Sequence, residues 1–408
     1  MTKLAPACAS PRAIASPMPR LPPVTIATLP ARSNSFMATP RVTKPDPDYC
    51  NLCLPACTLT LCAGRGTFEV RGRIDSWSGT MPMPLRTRLT ERFGLEQPIL
   101  SAPMAFVAGG ALAAAVSRAG GLGLIGGGYG DGDWLNAQFG AAGNQVVGCG
   151  FITWSLASQP HLLAQALDRR PRAIMLSFGD PVPFAEEVRA AGASLICQIQ
   201  TLAHARRAIE AGADVIVAQG AEAGGHGAVR GTLTLVPEVL DLCVRCGADA
   251  LVLAAGGIAD GRGLAAALML GADGVLVGTC LYAAREALVP PALQRAVVAA
   301  DGDATVRTSV VDTIRSRDWP PEFSIRVQRN AMVDRWHGRE DELKARLADA
   351  AARYTAAASA GDPDESAVIV GEAVGLIDQV RPAADIIQAM AAGAEAQLRG
   401  SQRLIVAG

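Results

Sequence analysis

Residues 250–279 read ALVLAAGGIADGRGLAAALMLGADGVLVGT, and this stretch decides the fold. It opens with an apolar run that breaks at Gly256 and Gly257. It continues with GRGLAAALMLG, whose Leu and Ala recur at helical spacing and which ends in the Gly that a helix C-cap prefers. A second apolar run, GVLV, then breaks at Gly278 and Thr279. The pattern is strand, helix, strand. Neither apolar run alternates with polar residues, so both strands are buried on two faces, as in a parallel sheet covered by helices.

Outward from this unit the same pattern recurs. Apolar runs begin near Pro98 (PILSAPM), Gly121 (GLGLIGGG), Gln145 (QVVGCGFITW) and Arg172 (RAIMLSF). Others begin near Ala193 (ASLICQIQ), Ala213 (ADVIVAQG), Ala250 (ALVLAAGG) and Ala272 (ADGVLVGT). Helically spaced segments such as GALAAAVSRAG, PFAEEVRAAG and LAHARRAIEAG separate them. Eight strand–helix units over about 190 residues describe an α/β protein with a (β/α)₈ barrel. A doubly wound sheet is the alternative, but its glycine fingerprint belongs after the first strand, with an acid about 20 positions on. Here GLGLIGGG follows the second apolar run, and no suitable acid ends the third. The uncharged residues 99–117 have the length of a membrane span, yet Pro103, Gly109 and Gly110 break them into strand, turn and helix.

Composition agrees with a globular chain: 408 residues, 50% hydrophobic and 18% charged, give enough apolar surface for a large core. Lys and Arg (37) balance Asp and Glu (38), so no net field draws in nucleic acid or an anionic membrane. The first 85 residues differ. They hold 13 of the 26 prolines and no acid before Asp46, which predicts a disordered extension. A transit peptide is an alternative, but Pro17, Pro19, Pro22 and Pro23 would break its amphipathic helix. The preferred reading starts translation at Met81 or Met83. Cys50, Cys53, Cys57 and Cys62 have metal-like spacing without the paired knuckles of a zinc site, so no metal is expected. Cys149, Cys197, Cys243, Cys246 and Cys280 lie in apolar or helical contexts and read as reduced thiols of a cytoplasmic protein. Cys243 and Cys246 fall on one predicted helix, outside any thioredoxin-like context.

The barrel reading places chemistry at the C-terminal ends of the strands. Loops after the seventh and eighth strands commonly bind phosphate there, and glycine lets the main chain approach the anion. Gly256 and Gly257 end the seventh run, and Gly278 with Thr279 ends the eighth. A phosphate held between them, with a planar ring over the barrel mouth, describes flavin mononucleotide (FMN). The sixth run leads into Gln219, Gly220, Ala221, Glu222, Ala223, Gly224, Gly225, His226 and Gly227. Glycines around His226 leave its imidazole room to work, and histidine exchanges protons near neutrality, which makes it the candidate catalytic base. His161, His204 and His337 read as surface or structural. Gln198 and Gln219 end the fifth and sixth strands as amides suited to the polar edge of a flavin ring.

Taken together, QGAEAGGHG at 219–227, APM at 102–104, AAGGI at 254–258 and VGT at 277–279 resemble the nitronate monooxygenase family, formerly called 2-nitropropane dioxygenase. The likeness runs over residues 89–337 and includes SFGDP at 177–181 and TVRTSVVDTIRSRDWP. It implies an FMN-dependent TIM barrel that oxidises alkyl nitronates, and nitroalkanes, with O₂ to carbonyl compounds and nitrite. His226 would be the base near the flavin. Ala102, Pro103, Met104, Gln219, Gly224, Gly225, Gly256 and Gly257 would contact the cofactor, and Leu276, Val277, Gly278 and Thr279 would complete its phosphate site. One departure stands out. Many members carry an Asn near the end of the third strand, where this chain reads Gly150, Phe151, Ile152, Thr153, Trp154, leaving the Thr153 hydroxyl or a water in its place. The alternative function is an NAD(P)H oxidoreductase on the same barrel, an enoyl-acyl-carrier-protein reductase or a quinone reductase. A flavin-binding sensor is the non-enzymatic one.

Beyond Pro290 the periodicity stops. ELKARLADAAARY and AADIIQAMAAGAEAQLRG are helical around a less regular stretch through Trp319 and Pro320, which reads as a helical lid. The expected organisation is an extension over 1–85, an FMN-binding barrel over 86–290 and a mainly helical region over 291–408. The expected partners are a small nitronate or nitroalkane and O₂, without nucleic acid or membrane.

Overall fold

The computed structural model describes residues 84–405. The expectations for the Pro-rich extension, its start site and the cysteine run at Cys50 lie outside the described residues.

A short helix, Arg88–Phe93, forms the floor. The Thr87 hydroxyl accepts from the Thr90 N–H while the Thr90 hydroxyl reaches back to the Thr87 N–H, and Gly94 ends the helix at φ 69°. Its Leu89 and Phe93 plug the barrel from below. Among the described residues eleven strands follow: β1 (Ile99–Ser101), β2 (Leu124–Gly128), β3 (Gly148–Ile152), β4 (Ala173–Ser177), β5 (Ser194–Ile199), β6 (Val215–Gln219), β7 (Gly225–Gly227), β8 (Leu251–Ala255), β9 (Gly274–Val277), β10 (Thr305–Thr308) and β11 (Ser324–Gln328). Eight of them form one parallel sheet in the order β1-β9-β8-β6-β5-β4-β3-β2. The seam between β1 and β2 closes through a parallel bridge of Leu100 with Leu122. There the Ser101 N–H donates to the Leu122 carbonyl at 3.1 Å and the Leu122 N–H to the Ile99 carbonyl at 3.0 Å.

Period-two alternation divides the core. Leu100, Leu124, Met175, Ile196, Val217, Leu253 and Leu276 meet inside the barrel. Their neighbours Ile99, Ile125, Ile174, Ile216, Val252 and Val275 face outward against the helices. Each such buried side chain contributes about 1.5–3 kcal/mol relative to exposure. Each of the first seven barrel strands is followed by a helix, β3 by a short extra one at Thr153–Leu156 as well, and the last of the set is Gly261–Met269. After β9 only a four-residue helix, Thr279–Tyr282, forms.

The eighth place in the ring is taken by helix Ala383–Gly400, which packs against Gly261–Met269 and Gly110–Arg118. A Cβ on Gly261 would lie 2.4 Å from the backbone of Gly393 and Ala394, so the two helices cross at backbone contact. Gln388 donates to the Ala119 carbonyl at 3.0 Å and caps the neighbouring helix. The boundary expected at residue 290 therefore does not separate barrel from appendage: the chain leaves the ring after β9 and returns to finish it. The intervening part covers the barrel mouth and has its own core of Val310, Val311, Ile325, Val327, Met332 and Trp336. It is less helical than expected, because β10 and β11 pair antiparallel and β11 pairs in turn with β7. Short strands with one apolar face, such as SIRVQ, carry too weak a period to stand out in sequence. Among the described residues no helix is long and apolar enough to cross a membrane, and the uncharged 99–117 stretch forms β1 and most of helix Gly110–Arg118.

Candidate active site

At the C-terminal ends of the barrel strands lies a cavity of about 410 Å³, within the size range of cofactor sites. Ala102, Pro103, Met104, Gln198, Gln219, Gly224, Gly225, His226, Gly256, Gly257, Leu276, Gly278 and Thr279 all line it. Val277 does not. It is 1% exposed and packs in the layer between strands and helices, because strand alternation turns it away from Leu276. The cover supplies the opposite wall through Pro290, Leu293, Arg315, Trp319, Ile325, Tyr354 and Ile369.

The loop at 102–104 sits deep because the neighbouring strands lack side chains. A Cβ on Gly126 would lie 2.4 Å from the Met104 carbonyl oxygen, and one on Gly150 would lie 2.3 Å from Pro103. Close approach of the first loop accounts for Gly126 and for Gly150 in β3, while a Cβ on Gly121 or Gly123 would meet the backbone of Ile99 or Ala113, so close packing rather than nucleotide binding accounts for these glycines. Thr153 lies outside the cavity wall, and its buried hydroxyl has no hydrogen-bond partner among the described residues.

The glycine loops fit a phosphate. Gly256 and Gly257 hold φ 101° and 75°, a region where a side chain is strained. Among the described residues, no protein acceptor takes the N–H of Gly256, Gly257, Gly278 or Thr279, and all four residues line the cavity. Clustered unpaired main-chain donors suit an oxyanion, and the neighbouring Glu222 carboxylate accepts from the N–H and hydroxyl of Thr232. The Thr279 hydroxyl accepts from the Gly371 N–H at 2.9 Å and ties this loop to the cover. Gly224 and Gly371 lie back to back, each without room for a Cβ.

His226 is placed by three sets of bonds. β7 pairs with β11, His226 opposite Ile325. Gln219 accepts from Gln198 at 3.1 Å and from Gln200 at 2.8 Å, and donates to the His226 carbonyl at 3.0 Å. The Gln219 amide is thus largely committed to the protein, joining β5, β6 and the histidine loop. Gln198 keeps a carbonyl oxygen that meets no donor among the described residues. Behind the loop, Arg307 donates to the carbonyls of Ala221 and Ser324 at 3.0 and 2.7 Å, and Arg326 reaches the Ala221 carbonyl at 3.1 Å. Burial and the adjacent Arg326 push Arg307 down to about 10.

The imidazole Nε2 lies 3.0 and 2.9 Å from Oδ1 and Oδ2 of Asp312. Both side chains are buried, His226 8% and Asp312 10% exposed. A carboxylate only accepts, so Nε2 carries the proton and Nδ1 holds the free lone pair. Among the described residues nothing bonds to Nδ1, and His226 lines the cavity. Burial pulls the imidazole below its ordinary value, and Asp312 opposes that shift. Trp319 stacks on the ring at 3.3 Å between centroids and 8° between planes. Phe178, held at φ 64°, meets Trp319 edge-on at 5.1 Å. The result is a neutral, oriented imidazole in an aromatic wall.

Asp312, Trp319, Arg315 and Gln200 had no assigned role in sequence. The first three lie within the segment TVRTSVVDTIRSRDW, whose resemblance to the family is the one signal that pointed there. The remaining histidines lie elsewhere: His161 opens a helix, His204 lies by Phe323, and His337 bonds the Thr308 hydroxyl at 3.1 Å. Cys243 and Cys246 share helix Thr232–Cys246, and Cys149, Cys197 and Cys280 are buried.

The family model of nitronate monooxygenase matches residues 86–147 and 153–393. The chain belongs to the nitronate monooxygenase family. It is accordingly an oxidoreductase, and the two matched stretches flank residues 148–152, which are β3. A nitronate monooxygenase of Neurospora crassa is 32% identical over 81% of this chain and 94% of its own. Among solved structures, FabK of Thermotoga maritima superposes with TM-score 0.69 at 30% identity, over 79% of this chain and all of that one. The nitroalkane oxidase of Streptomyces ansochromogenes gives TM-score 0.63 at 28% identity, over 77% of this chain and 99% of its own.

Proposed function

We propose that this family member oxidises alkyl nitronates, and nitroalkanes after loss of their α-proton, with FMN and O₂ to carbonyl compounds and nitrite. The observation that carries the reading is the pair of His226 and Asp312 at 2.9 Å, opening Nδ1 onto the same cavity that the glycine loops line. FMN, when bound, supplies the redox chemistry, with electrons leaving the substrate and passing to O₂. Gly256, Gly257, Gly278 and Thr279 would hold its phosphate, with Ala102, Pro103, Met104, Gln198, Gly224, Gly225 and Leu276 around the rest.

The protein's own part is acid–base. A neutral nitroalkane presents an α C–H, and Nδ1 of His226 takes that proton while Asp312 stabilises the imidazolium. An anionic nitronate arrives already deprotonated and needs no base. The aromatic wall and the cover keep water from the reacting carbon. Hydride transfer from a nicotinamide donor is the second reading, favoured by the likeness to FabK.

Purified holoprotein assayed in air for nitrite release from an alkyl nitronate, beside NADH with a quinone and NADH with an enoyl thioester, tests the reading. Nitrite formation with O₂ uptake is the expected result. Turnover confined to either NADH reaction would replace it with the second reading.

A further inference from the structure

Arg315 is the only permanently charged side chain among the residues that line the cavity. It follows helix Val310–Ile314, three positions after Asp312, and is partly buried. Its Nε donates to the Tyr354 hydroxyl at 2.8 Å, and a second guanidinium nitrogen reaches the same oxygen. That partner is a neutral phenol. Among the described residues no carboxylate pairs with Arg315, whereas Arg335 and Arg353, around a neighbouring hollow, both pair with Glu365. A guanidinium has five N–H donors in a planar fork that matches a planar two-oxygen anion. Here part of the fork is fixed by Tyr354, and the rest meets no protein acceptor among the described residues.

We infer that Arg315 is the anion-recognition residue of the cavity, selecting substrates through a planar two-oxygen anion such as a nitronate or a carboxylate. The inference rests on the proposed oxidation for the identity of the anion, and on the cavity alone for its charge. In a wall with no other permanently charged side chain, an unpaired cation near His226 favours an anionic head group over a neutral one of the same shape. Arg315 then raises affinity for the nitronate, which carries its charge in the ground state. For a neutral nitroalkane it acts only as charge develops on the nitro oxygens, so its loss moves KM in the first case and kcat in the second.

Calorimetric titration of the holoprotein with benzoate and with benzamide, its neutral counterpart in shape, tests this without turnover. The wild type should prefer benzoate by about tenfold to a hundredfold, the worth of a charge-assisted bond. Arg315→Met should lose the preference with flavin content unchanged, Arg315→Lys should keep part of it, and Tyr354→Phe, which frees the fork, should weaken it. Equal binding of the two probes by the wild type, or an intact preference in Arg315→Met, would overturn the inference. So would loss of flavin in both Arg315 variants, which would place the guanidinium on the cofactor instead. Because the titration reads charge selection alone, a protein that prefers benzoate but releases no nitrite would refute the proposed oxidation while leaving Arg315 in its role.

Discussion

Nε2 of His226 and Oδ2 of Asp312 meet at 2.9 Å across 86 positions of sequence. The proposed base belongs to a barrel loop and its carboxylate partner to the cover, so under the proposed function the cover would serve the acid–base step as well as form a wall. Asp312→Asn should remove the fixed acceptor and let Nδ1 take the proton. Activity on a nitroalkane should fall by about 10² to 10⁴-fold, the worth of a positioned base. Stopped-flow rates on nitroalkane and nitronate check it, with the nitronate rate expected to fall far less.

His226→Asn should show the same split more strongly. Nitroalkane turnover should disappear while the nitronate is still oxidised and flavin stays bound, because the glycine loops are untouched. Equal loss on both substrates would assign His226 to positioning.

The pH dependence has a defined sign. Burial, the larger influence, lowers the His226 pKa, while Asp312 raises it in part. The neutral, basic form therefore persists to lower pH than for a free imidazole, whose pKa is about 6.5. The kcat/KM for a nitroalkane should stay level from pH 8 down to about that value and fall only below it. The same shift affects folding: the unfolded chain binds this proton more readily, so the His226 contribution to stability is present above about 6.5 and is lost as pH falls below it. Chemical denaturation across that range reads the second effect.

Gly257→Val tests the phosphate cradle. A side chain at φ 75° is strained by about 1–2 kcal/mol, and its Cβ would lie 3.4 Å from Glu222. FMN affinity should drop by about tenfold or more, measured by equilibrium dialysis.

A chain beginning at Met83 should fold and retain flavin, since floor, barrel and cover all lie within the described residues. One beginning at Leu95 should not, because it lacks Leu89 and Phe93 of the barrel plug. Thermal melts and bound flavin per chain distinguish the two.

The barrel strands were legible because each is a short apolar run with its own glycine punctuation, as ALVLAAGG shows. That the glycine loops and His226 would share one cavity was legible for the same reason: each is marked by a local run of residues. Asp312 and Trp319 were not, since their partners come from another segment and neither stands in a periodic run. Val277 was misplaced because a motif matched as a block ignores the alternation that sends Leu276 inward and Val277 outward. The eighth helix was visible as a helix, but nothing local says that AADIIQAMAAGAEAQLRG belongs between helices placed much earlier in the chain.

That helix has a consequence for the order in which the molecule is made. Gln388 meets Ala119 across 269 positions, and Gly393 meets Gly261 only after the cover has been synthesised. During translation, all eight barrel strands emerge while one wall still lacks its outer layer. The apolar outer sides of β1 and β9 stay open until Ala383–Gly400 arrives. Non-local closure of this kind is slow, and the exposed surface favours aggregation in the interval. A ribosome stalled before residue 383 would carry a chain whose barrel strands and histidine loop have emerged, yet with a barrel open along one side.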